Sequence, residues 1–371
     1  MSNATCLRGP SSQRSRALAI AGGAQVVGLD IGTSAVRAAE VSSGKNGLTL
    51  SKFGQVALPP GSVVDGEIRD AGSVSHAIST LFKRHKISSK KVVVGVANQR
   101  VVVRQVDLPY LEEKDFRASI KFQVAEHIPM PVDDAEIDYQ ILADYETAES
   151  GHMMRVLIVA AATDMVEQFV DTVTAAGLRP TGVDLIPFAV ARAVSDAARG
   201  EVGLDGAEAI VDVGAGVTNV LIHQNGEAQF VRILLTGGDH ATSEIAEEMD
   251  IPFDEAEAHK LDLHTGAGDK QAAEIVARCV GNLVQEIQGS LDYYLGLEEA
   301  QPIRSVLLTG GGSLTPGLGR ALEASLDMDV FGAVPLQQVD AKKTGLNQNQ
   351  ISQVEPVAAA ALGLAMGRAG R

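Results

Sequence analysis

The amino-acid sequence predicts an α/β protein made of two related domains, with a small α+β subdomain inserted into the first. A strand, an Asp-x-Gly turn and a second strand occur twice, around Asp30-Ile31-Gly32-Thr33-Ser34 and around Asp212-Val213-Gly214-Ala215-Gly216-Val217-Thr218. Three strands and a helix follow one another in both halves, which indicates a duplicated fold with a cleft between its copies. The stretch from about Arg100 to Leu178 interrupts the first copy with its own order of strands and helices.

The first half begins with strands predicted over residues 25–29, 35–41 and 48–56, on either side of the first Asp-x-Gly turn. A helix is predicted over residues 73–86, because Val74, Ile78 and Leu81 share one helical face. A buried strand follows over residues 91–97. This order of three strands, a helix and a strand excludes a simple parallel Rossmann domain.

The inserted stretch is predicted to contain strands over residues 101–106, 137–142 and 154–161. Its helices are predicted over residues 111–127, where Pro129 ends the first, and 164–177, where Gly177 suits the C-terminal cap of the second. A strand over residues 182–186 returns the chain to the first domain. Pro187 suits the first turn of the next helix, which is predicted to end near residue 198.

The second half repeats the pattern with strands predicted over residues 210–211, 219–223 and 228–234, and Asn225-Gly226 forms a hairpin turn. Helices are predicted over 241–249, within the acid-rich stretch 253–297, over 317–326 and over 355–368, with strands over 304–309 and at Val330. We therefore predict a disordered tail (1–24), a first domain (25–99 and 179–200), the inserted subdomain (100–178) and a second domain (201–371).

Composition excludes several classes of function. The chain has 371 residues, of which 45% are hydrophobic and 21% charged, as in an ordinary globular protein. The net charge of −16 argues against non-specific binding to nucleic acid or to an anionic membrane surface. The cysteines, Cys6 and Cys279, form no disulfide framework or metal-ligand pattern, which fits a reducing cytoplasm. No apolar run approaches a membrane span, so direct membrane insertion is not expected.

Residues 1–24 differ from the rest of the chain. They carry Arg8, Arg14 and Arg16 and no acidic residue, and their apolar piece is too short for a signal peptide. We predict a disordered tail; a basic arm that touches a membrane or a partner is the alternative.

The two Asp-x-Gly turns predict a site for a polyphosphate and a metal ion. Small residues let backbone N–H groups approach phosphate oxygens closely, and an Asp at the end of a strand can hold Mg²⁺ through water. Asp30 and Asp212 are the candidate metal-site residues; as the alternative, each caps its own turn. The candidate phosphate-binding residues share these turns, where simple hairpin geometry is the alternative: Gly32, Thr33, Ser34, Asp212, Gly214, Ala215, Gly216 and Thr218.

These turns resemble the phosphate motifs of the actin-like ATPase superfamily of actin, sugar kinases and FtsA. The likeness extends to the helices near residues 187–198 and 355–366 and to the run Leu307-Leu308-Thr309-Gly310-Gly311-Gly312-Ser313. Within it, the chain resembles the type IV pilus assembly protein PilM family over residues 26–367. Two segments carry this likeness. The first is the opening Val27-Gly28-Leu29-Asp30-Ile31-Gly32-Thr33-Ser34-Ala35-Val36-Arg37, and the second is the insert's Gln123-Val124-Ala125-Glu126-His127-Ile128-Pro129-Met130-Pro131. It implies duplicated ribonuclease-H-like domains, each with a mixed five-stranded sheet and flanking helices, and an inserted α+β subdomain of the FtsA/PilM 1C type.

The resemblance implies ATP and Mg²⁺ as cofactors and assigns further residues to the site. Gly310, Gly311, Gly312 and Ser313 look like the adenosine motif. Glu257 and Lys260 would flank the adenine and bond the ribose, with a solvated ion pair as the alternative. Arg37 would lie near the phosphates, or else in solvent. Gly238 would approach the phosphates, or else form only a helix-entry turn after Gly237.

One position departs from the superfamily pattern. Actin-like ATPases often place a Gln or Glu early in the first connecting helix, where it orients the attacking water. Here that position is Ile186 or Pro187, and neither side chain can accept a proton. We therefore assign no catalytic residue and expect ATP hydrolysis to be slow at most.

By this resemblance we expect a cytoplasmic, ATP-binding component of the type IV pilus inner-membrane assembly platform, peripheral to the membrane through its partners. The expected partner is the N-terminal cytoplasmic peptide of PilN, bound between the first actin-like domain and the insert. Other pilus platform proteins, pilus motor ATPases and a homo-oligomer stay open. The alternatives are an FtsA-like membrane tether, which needs an amphipathic C-terminal helix, and a small-molecule kinase, which needs an acidic general base.

Overall fold

The structure is a computed structural model that describes residues 25–44, 47–147, 149–195, 205–266 and 268–369. The tail predicted for residues 1–24, and the predicted end of a helix near residue 198, lie outside these residues. The described strands are β1 (Gln25–Ile31), β2 (Ala35–Gly44), β3 (Gly47–Ala57), β4 (Val63–Val64), β5 (Glu67–Ile68), β6 (Lys91–Val96), β7 (Val101–Pro109), β8 (Ala135–Thr147), β9 (Gly151–Ala162), β10 (Arg179–Leu185), β11 (Ala207–Val213), β12 (Thr218–Gln224), β13 (Glu227–Leu234), β14 (Ile303–Thr309) and β15 (Val330–Gly332).

The described helices connect and cover these strands, and several begin close to where the sequence predicts. They are α1 (Ala71–Arg84), α2 (Glu113–Val124), α3 (Thr163–Ala175), α4 (Ile186–Val194), α5 (Gly238–Met249), α6 (Phe253–Asp262), α7 (Lys270–Leu295), α8 (Leu318–Leu326) and α9 (Gln348–Ala369). None of these helices combines the length and the apolar composition needed to cross a bilayer.

Two five-stranded sheets have the same topology. The first has the order β3-β2-β1-β6-β10 and the second the order β13-β12-β11-β14-β15. In each sheet the first three strands are antiparallel, and the two remaining strands run parallel to the central strand β1 or β11. The predicted duplicated α/β fold is therefore confirmed, and each copy places its Asp-x-Gly turn at the carboxyl end of its central strand.

Helices α4 and α9 form a layer between the two sheets. Their side chains share one buried cluster with residues of both sheets, among them Val93, Ile210 and Leu307. The helices approach so closely that a Cβ atom on Gly363 would lie 1.7 Å from the Ala189 carbonyl oxygen, and only glycine fits at this position. The small, apolar composition of α9 thus serves burial between the domains rather than an exposed amphipathic surface.

The insert is a three-stranded antiparallel sheet, in the order β7-β9-β8, with α2 packed on one face. Phe116 of α2 is fully buried there against Met154 and Ile158 of β9. Helix α3 packs instead in the core of the first domain, where Phe169 is buried. The domain bounds stay a prediction; this packing favours ending the insert near Ala162.

One element escapes the sequence prediction. Strands β4 and β5 form a hairpin whose two-residue turn is Asp65-Gly66, both with positive φ (55° and 72°). No strand is predicted here, between the strand over residues 48–56 and the helix over residues 73–86, although an Asp-Gly pair is a favoured two-residue hairpin turn.

Candidate functional site

A cavity of about 720 Å³ lies between the two domains. Both Asp-x-Gly turns contribute to its wall, together with the start of α5, part of α6 and the Gly310-Gly311-Gly312 run. Helix α9 adds Pro356, Val357, Ala359 and Ala360. The lining includes most of the predicted site residues, namely Asp30, Gly32, Thr33, Ser34, Arg37, Asp212, Gly214, Ala215, Gly216, Gly238, Glu257, Lys260, Gly310, Gly311 and Gly312. The fold thus brings together residues that lie far apart in the sequence.

The two turns face each other across this cavity. Each is closed by the same backbone hydrogen bond, from Gly32 to Ala35 (3.1 Å) and from Gly214 to Val217 (2.8 Å). A Cβ atom on Gly216 would lie 2.7 Å from Thr33 Oγ1. Glycine at 216 therefore permits a close approach of the two turns, which a larger residue would push apart.

The carboxylates of Asp30 and Asp212 occupy equivalent positions in the two sheets. Each pairs with the residue opposite it on the neighbouring strand, Arg37 on β2 and Asn219 on β12. Arg37 Nη1 donates to Asp30 Oδ2 (3.4 Å), and Asn219 Nδ2 donates to Asp212 Oδ2 (3.0 Å). Arg37 thus lies inside the cleft rather than in solvent.

Burial perturbs both carboxyl groups. It raises the pKa of Asp30, an effect that the neighbouring Arg37 partly offsets. Burial also raises the pKa of Asp212, to about 6; the Asn219 hydrogen bond opposes this and the negative charge of Asp30 adds to it. Two buried carboxylates sharing one arginine leave a local excess of negative charge, which a divalent cation would neutralise. Among the described residues no group of three or more His, Cys, Asp or Glu side chains is placed to hold a metal ion.

Lys260 differs from a solvated ion pair. Its buried Nζ donates to the Gly238 carbonyl oxygen (3.0 Å) and to Thr242 Oγ1 (2.7 Å), and lies 2.7 Å from Glu257 Oε2. Lys260 therefore fixes α6 against the start of α5. The Glu257 side chain is partly exposed at the cavity, and it keeps the capacity to bond a ligand.

The glycine runs of the second domain pack backbone against backbone. Gly310 has φ of +87°, and a Cβ atom on Gly312 would lie 2.4 Å from the Gly214 carbonyl oxygen. The Gly238 N–H donates to that same oxygen (3.0 Å), so Gly238 lines the cavity with its N–H already used. These contacts hold the second turn in place behind the cavity wall.

The hydroxyl groups of two predicted residues are engaged within the fold. Thr218 Oγ1 donates to the Thr236 carbonyl oxygen (2.8 Å), and Ser313 Oγ donates to the Gly310 carbonyl oxygen (2.6 Å). Neither residue is part of the cavity wall. Their assignment to a ligand stays a prediction.

Several residues of the cavity wall were not predicted from the sequence. Phe253, Leu261 and Leu314 line the cavity with 38%, 52% and 53% of their surface exposed, so they offer it an apolar rim. Asn219 and Asp239 also line it. Burial raises the pKa of Asp239, Lys260 opposes the rise and Glu257 adds to it. The strand pairing that places Asn219 opposite Asp212 could have indicated Asn219 from the sequence. The apolar rim could not be predicted, because in a sequence exposed apolar residues look the same as core residues.

The chain is similar to known proteins over most of its length. The family model for the type IV pilus assembly protein PilM matches residues 28–369. The cell division protein FtsA of Streptococcus pneumoniae serotype 2 (strain D39 / NCTC 7466) is 25% identical over 348 residues, covering 82% of this chain and 73% of that protein. FtsA of Neisseria meningitidis serogroup B (strain ATCC BAA-335 / MC58) is 22% identical over 299 residues, covering 74% of this chain and 70% of that protein.

Solved structures show the same fold. A PilM-PilN type IV pilus biogenesis complex superimposes with a TM-score of 0.82 at 24% identity, covering 93% of this chain and 99% of that one. The ethanolamine utilization protein EutJ of Carboxydothermus hydrogenoformans gives a TM-score of 0.54 at 15% identity, covering 92% and 89%. The predicted actin-like ATPase fold is confirmed, and the family match extends over nearly the whole chain. The chain belongs to the PilM family of type IV pilus assembly proteins.

Proposed function

We propose that this pilus assembly protein binds Mg²⁺ and ATP in the cleft between its two domains. The observation that carries the proposal is the approach of the two Asp-x-Gly turns, whose buried carboxylates face a common cavity. Its volume of about 720 Å³ lies within the range of ligand pockets, ~300–1,000 Å³. The β- and γ-phosphates would contact backbone N–H groups of the turns, and the base would lie against the apolar rim of Phe253, Leu261 and Leu314.

The donor set fits a hydrated magnesium ion. Asp30 and Asp212 supply carboxylate oxygens, the ligands that Mg²⁺ prefers, and Mg²⁺ usually keeps several waters. Asn219 Oδ1 is buried and accepts no hydrogen bond from the described residues, so it is available to a metal-bound water. Bound Mg²⁺ would neutralise charge on the phosphates. Asp30, Asp212 and Asn219 would hold it in position through water, and the two turns would orient the nucleotide in the cleft.

The proposed role is binding rather than rapid turnover. Ile186, the first residue of α4, lines the cavity where the superfamily often has a Gln or Glu. Its side chain cannot orient water or accept a proton, which also disfavours a small-molecule kinase. The FtsA-like tether lacks support as well, because Leu362 and Leu364 of α9 are fully buried.

We further propose that the partner is the N-terminal peptide of PilN, bound in the groove between the first domain and the insert. A PilM-PilN complex is among the similar structures, which motivates this assignment. In this proposal the protein is cytoplasmic and reaches the inner membrane through PilN. Contacts with other platform proteins or motor ATPases, and a homo-oligomer, stay predictions.

Contacts between the insert and the second domain support coupling of the two sites. Gln105 Nε2 of β7 donates to the Ala228 carbonyl oxygen of β13 (2.9 Å). Arg155 of β9 bonds Asp107 and also Glu299 of the second domain (Nη2 to Oε1, 2.9 Å). A nucleotide that changes the cleft would therefore act on the insert, provided that it binds two cleft conformations unequally.

Calorimetric titration with Mg·ATP tests the nucleotide site. We expect the wild type and the control variant Asp292→Ala, on the exposed side of α7, to bind equally, and Asp212→Ala to lose most of its affinity. Unchanged binding by Asp212→Ala would refute the cleft assignment. The coupling is tested by titrating the PilN peptide with ATP, with ADP and without nucleotide; three identical affinities would contradict it.

A further inference from the structure

The cavity extends beyond the two turns into a mostly apolar lobe of the first domain. Leu58, Val63, Val64 and Ile186 line this lobe, near the carboxyl ends of β1, β6 and β10. Asp65 also lines it. Within the described part of the first domain, Asp30 and Asp65 are the acidic residues of the cavity wall.

Asp65 is held at the tip of the β4–β5 hairpin. A Cβ atom on the next residue, Gly66, would lie 2.0 Å from the Ala97 carbonyl oxygen, so only glycine allows the tip to rest on the end of β6. The fully buried Asn98 donates from Nδ2 to the Gly66 carbonyl oxygen (3.3 Å). Gln168 Nε2 donates to the Ile68 carbonyl oxygen (2.8 Å) and fixes the second strand. The position of Asp65 is therefore set by the first domain.

The Asp65 carboxylate is not used by the fold. Within the described residues it forms no side-chain hydrogen bond or ion pair, whereas Glu67 on the same hairpin pairs with Arg69 (3.0 Å). Its backbone has φ of 55°, the left-handed conformation that this two-residue turn requires and that Asp readily adopts, so the carboxylate is not needed to hold the turn.

We propose that Asp65 orients the water that attacks the terminal phosphate and accepts its proton, a role that Ile186 cannot fill. The water oxygen forms a bond to the γ-phosphorus while the bond from that phosphorus to the β–γ bridging oxygen breaks. ADP leaves with the electron pair, and one water proton passes to the Asp65 carboxylate and then to solvent. This inference rests on the proposed ATP site, and it predicts that hydrolysis depends on the Asp65 carboxylate.

Asp65→Asn separates this role from a structural one. Asparagine is favoured in two-residue turns with positive φ, so the hairpin is retained while the proton acceptor is lost. Glu67→Gln is the matched control, since Glu67 lies on the same hairpin but outside the cavity wall. Thermal unfolding midpoints of the wild type and both variants establish that all three are folded.

The test measures two quantities on the full chain: affinity for Mg·ATP by calorimetry and the single-turnover rate of phosphate release. We expect Asp65→Asn to bind Mg·ATP within about twofold of the wild type and to release phosphate at least about tenfold more slowly, as for loss of a general base. Glu67→Gln should match the wild type in both. Equal release rates for Asp65→Asn and wild type, or no release by a wild type that binds ATP, overturn the role of Asp65 alone. A wild type that binds no ATP overturns the proposed function as well.

Discussion

Replacing Asp212 by asparagine should stabilise the ligand-free protein while removing its proposed function. Asp212 is buried, and its pKa lies at about 6 instead of the ordinary 3.8. At pH 7 the group is ionised in the folded and unfolded states, and the folded state bears the cost of the buried charge. The difference between the two pKa values corresponds to about 3 kcal/mol, as an upper limit. Asp212→Asn removes that charge, and its amide oxygen still accepts the hydrogen bond from Asn219.

The predicted effect has a defined pH dependence. Because the folded-state pKa is raised, the wild type gains stability relative to the variant as the pH falls through about 6, where the folded protein takes up the proton. Below the unfolded value of 3.8 the carboxyl is neutral in both states, so the advantage of the variant is gone. The variant should therefore be more stable by up to about 3 kcal/mol at pH 7–8 and nearly equal to the wild type near pH 4.

Urea unfolding of the ligand-free proteins at several pH values measures this difference. Asp254→Asn, an exposed position at the start of α6, is the control and should show little change. In the same buffers Mg·ATP should stabilise the wild type and leave Asp212→Asn unaffected, since ligand binding to the folded state raises its stability. A variant less stable than the wild type at pH 7, or a difference independent of pH, would refute the account of the buried charge.

Three further predictions address packing and coupling. Gly312→Ala places a methyl group 2.4 Å from the Gly214 carbonyl oxygen, so its thermal midpoint and its response to Mg·ATP should both fall; wild-type values for both contradict the packing argument. Lys260→Met removes the hydrogen bonds to Gly238 and Thr242 and should lower the free energy of unfolding in urea by about 2 kcal/mol. An unchanged free energy would show that these buried hydrogen bonds do not stabilise the fold. Arg155→Ala should change stability by less than about 1 kcal/mol, because its partner Glu299 is largely exposed, yet reduce the difference in PilN-peptide affinity between ATP and ADP; an unchanged difference excludes this contact from the coupling.

Regular elements with clear patterns were predictable from the sequence, and special turns were not. The strands around both Asp-x-Gly turns follow from their apolar runs, and α1 follows from the helical spacing of Val74, Ile78 and Leu81. The last helix, α9, begins at Gln348, seven residues before its predicted start. The prediction was late because Pro356 lies inside the helix. Local rules treat an interior proline as a helix boundary, and here tertiary packing overrides that rule.

The parts of the candidate site that depend on backbone geometry were predictable from the sequence. Glycine positions such as Gly216, Gly310 and Gly312 are specified by close approach, which leaves a direct mark on the sequence. The side-chain environment was less accessible. Whether Lys260 is solvated or buried depends on how α5 meets α6, and the place of Asp65 in the cavity wall depends on the support of its hairpin by Asn98. Such contacts between distant segments have no local signature.

A crystal structure of the full chain grown with Mn²⁺ and a non-hydrolysable ATP analogue tests the central claim most directly. Mn²⁺ substitutes for Mg²⁺ and is located by its anomalous scattering. The account predicts the phosphates between the two Asp-x-Gly turns and a metal peak within water-bridged reach of both Asp30 and Asp212. A nucleotide bound outside the cleft, or a metal that contacts neither carboxylate directly or through water, would contradict it.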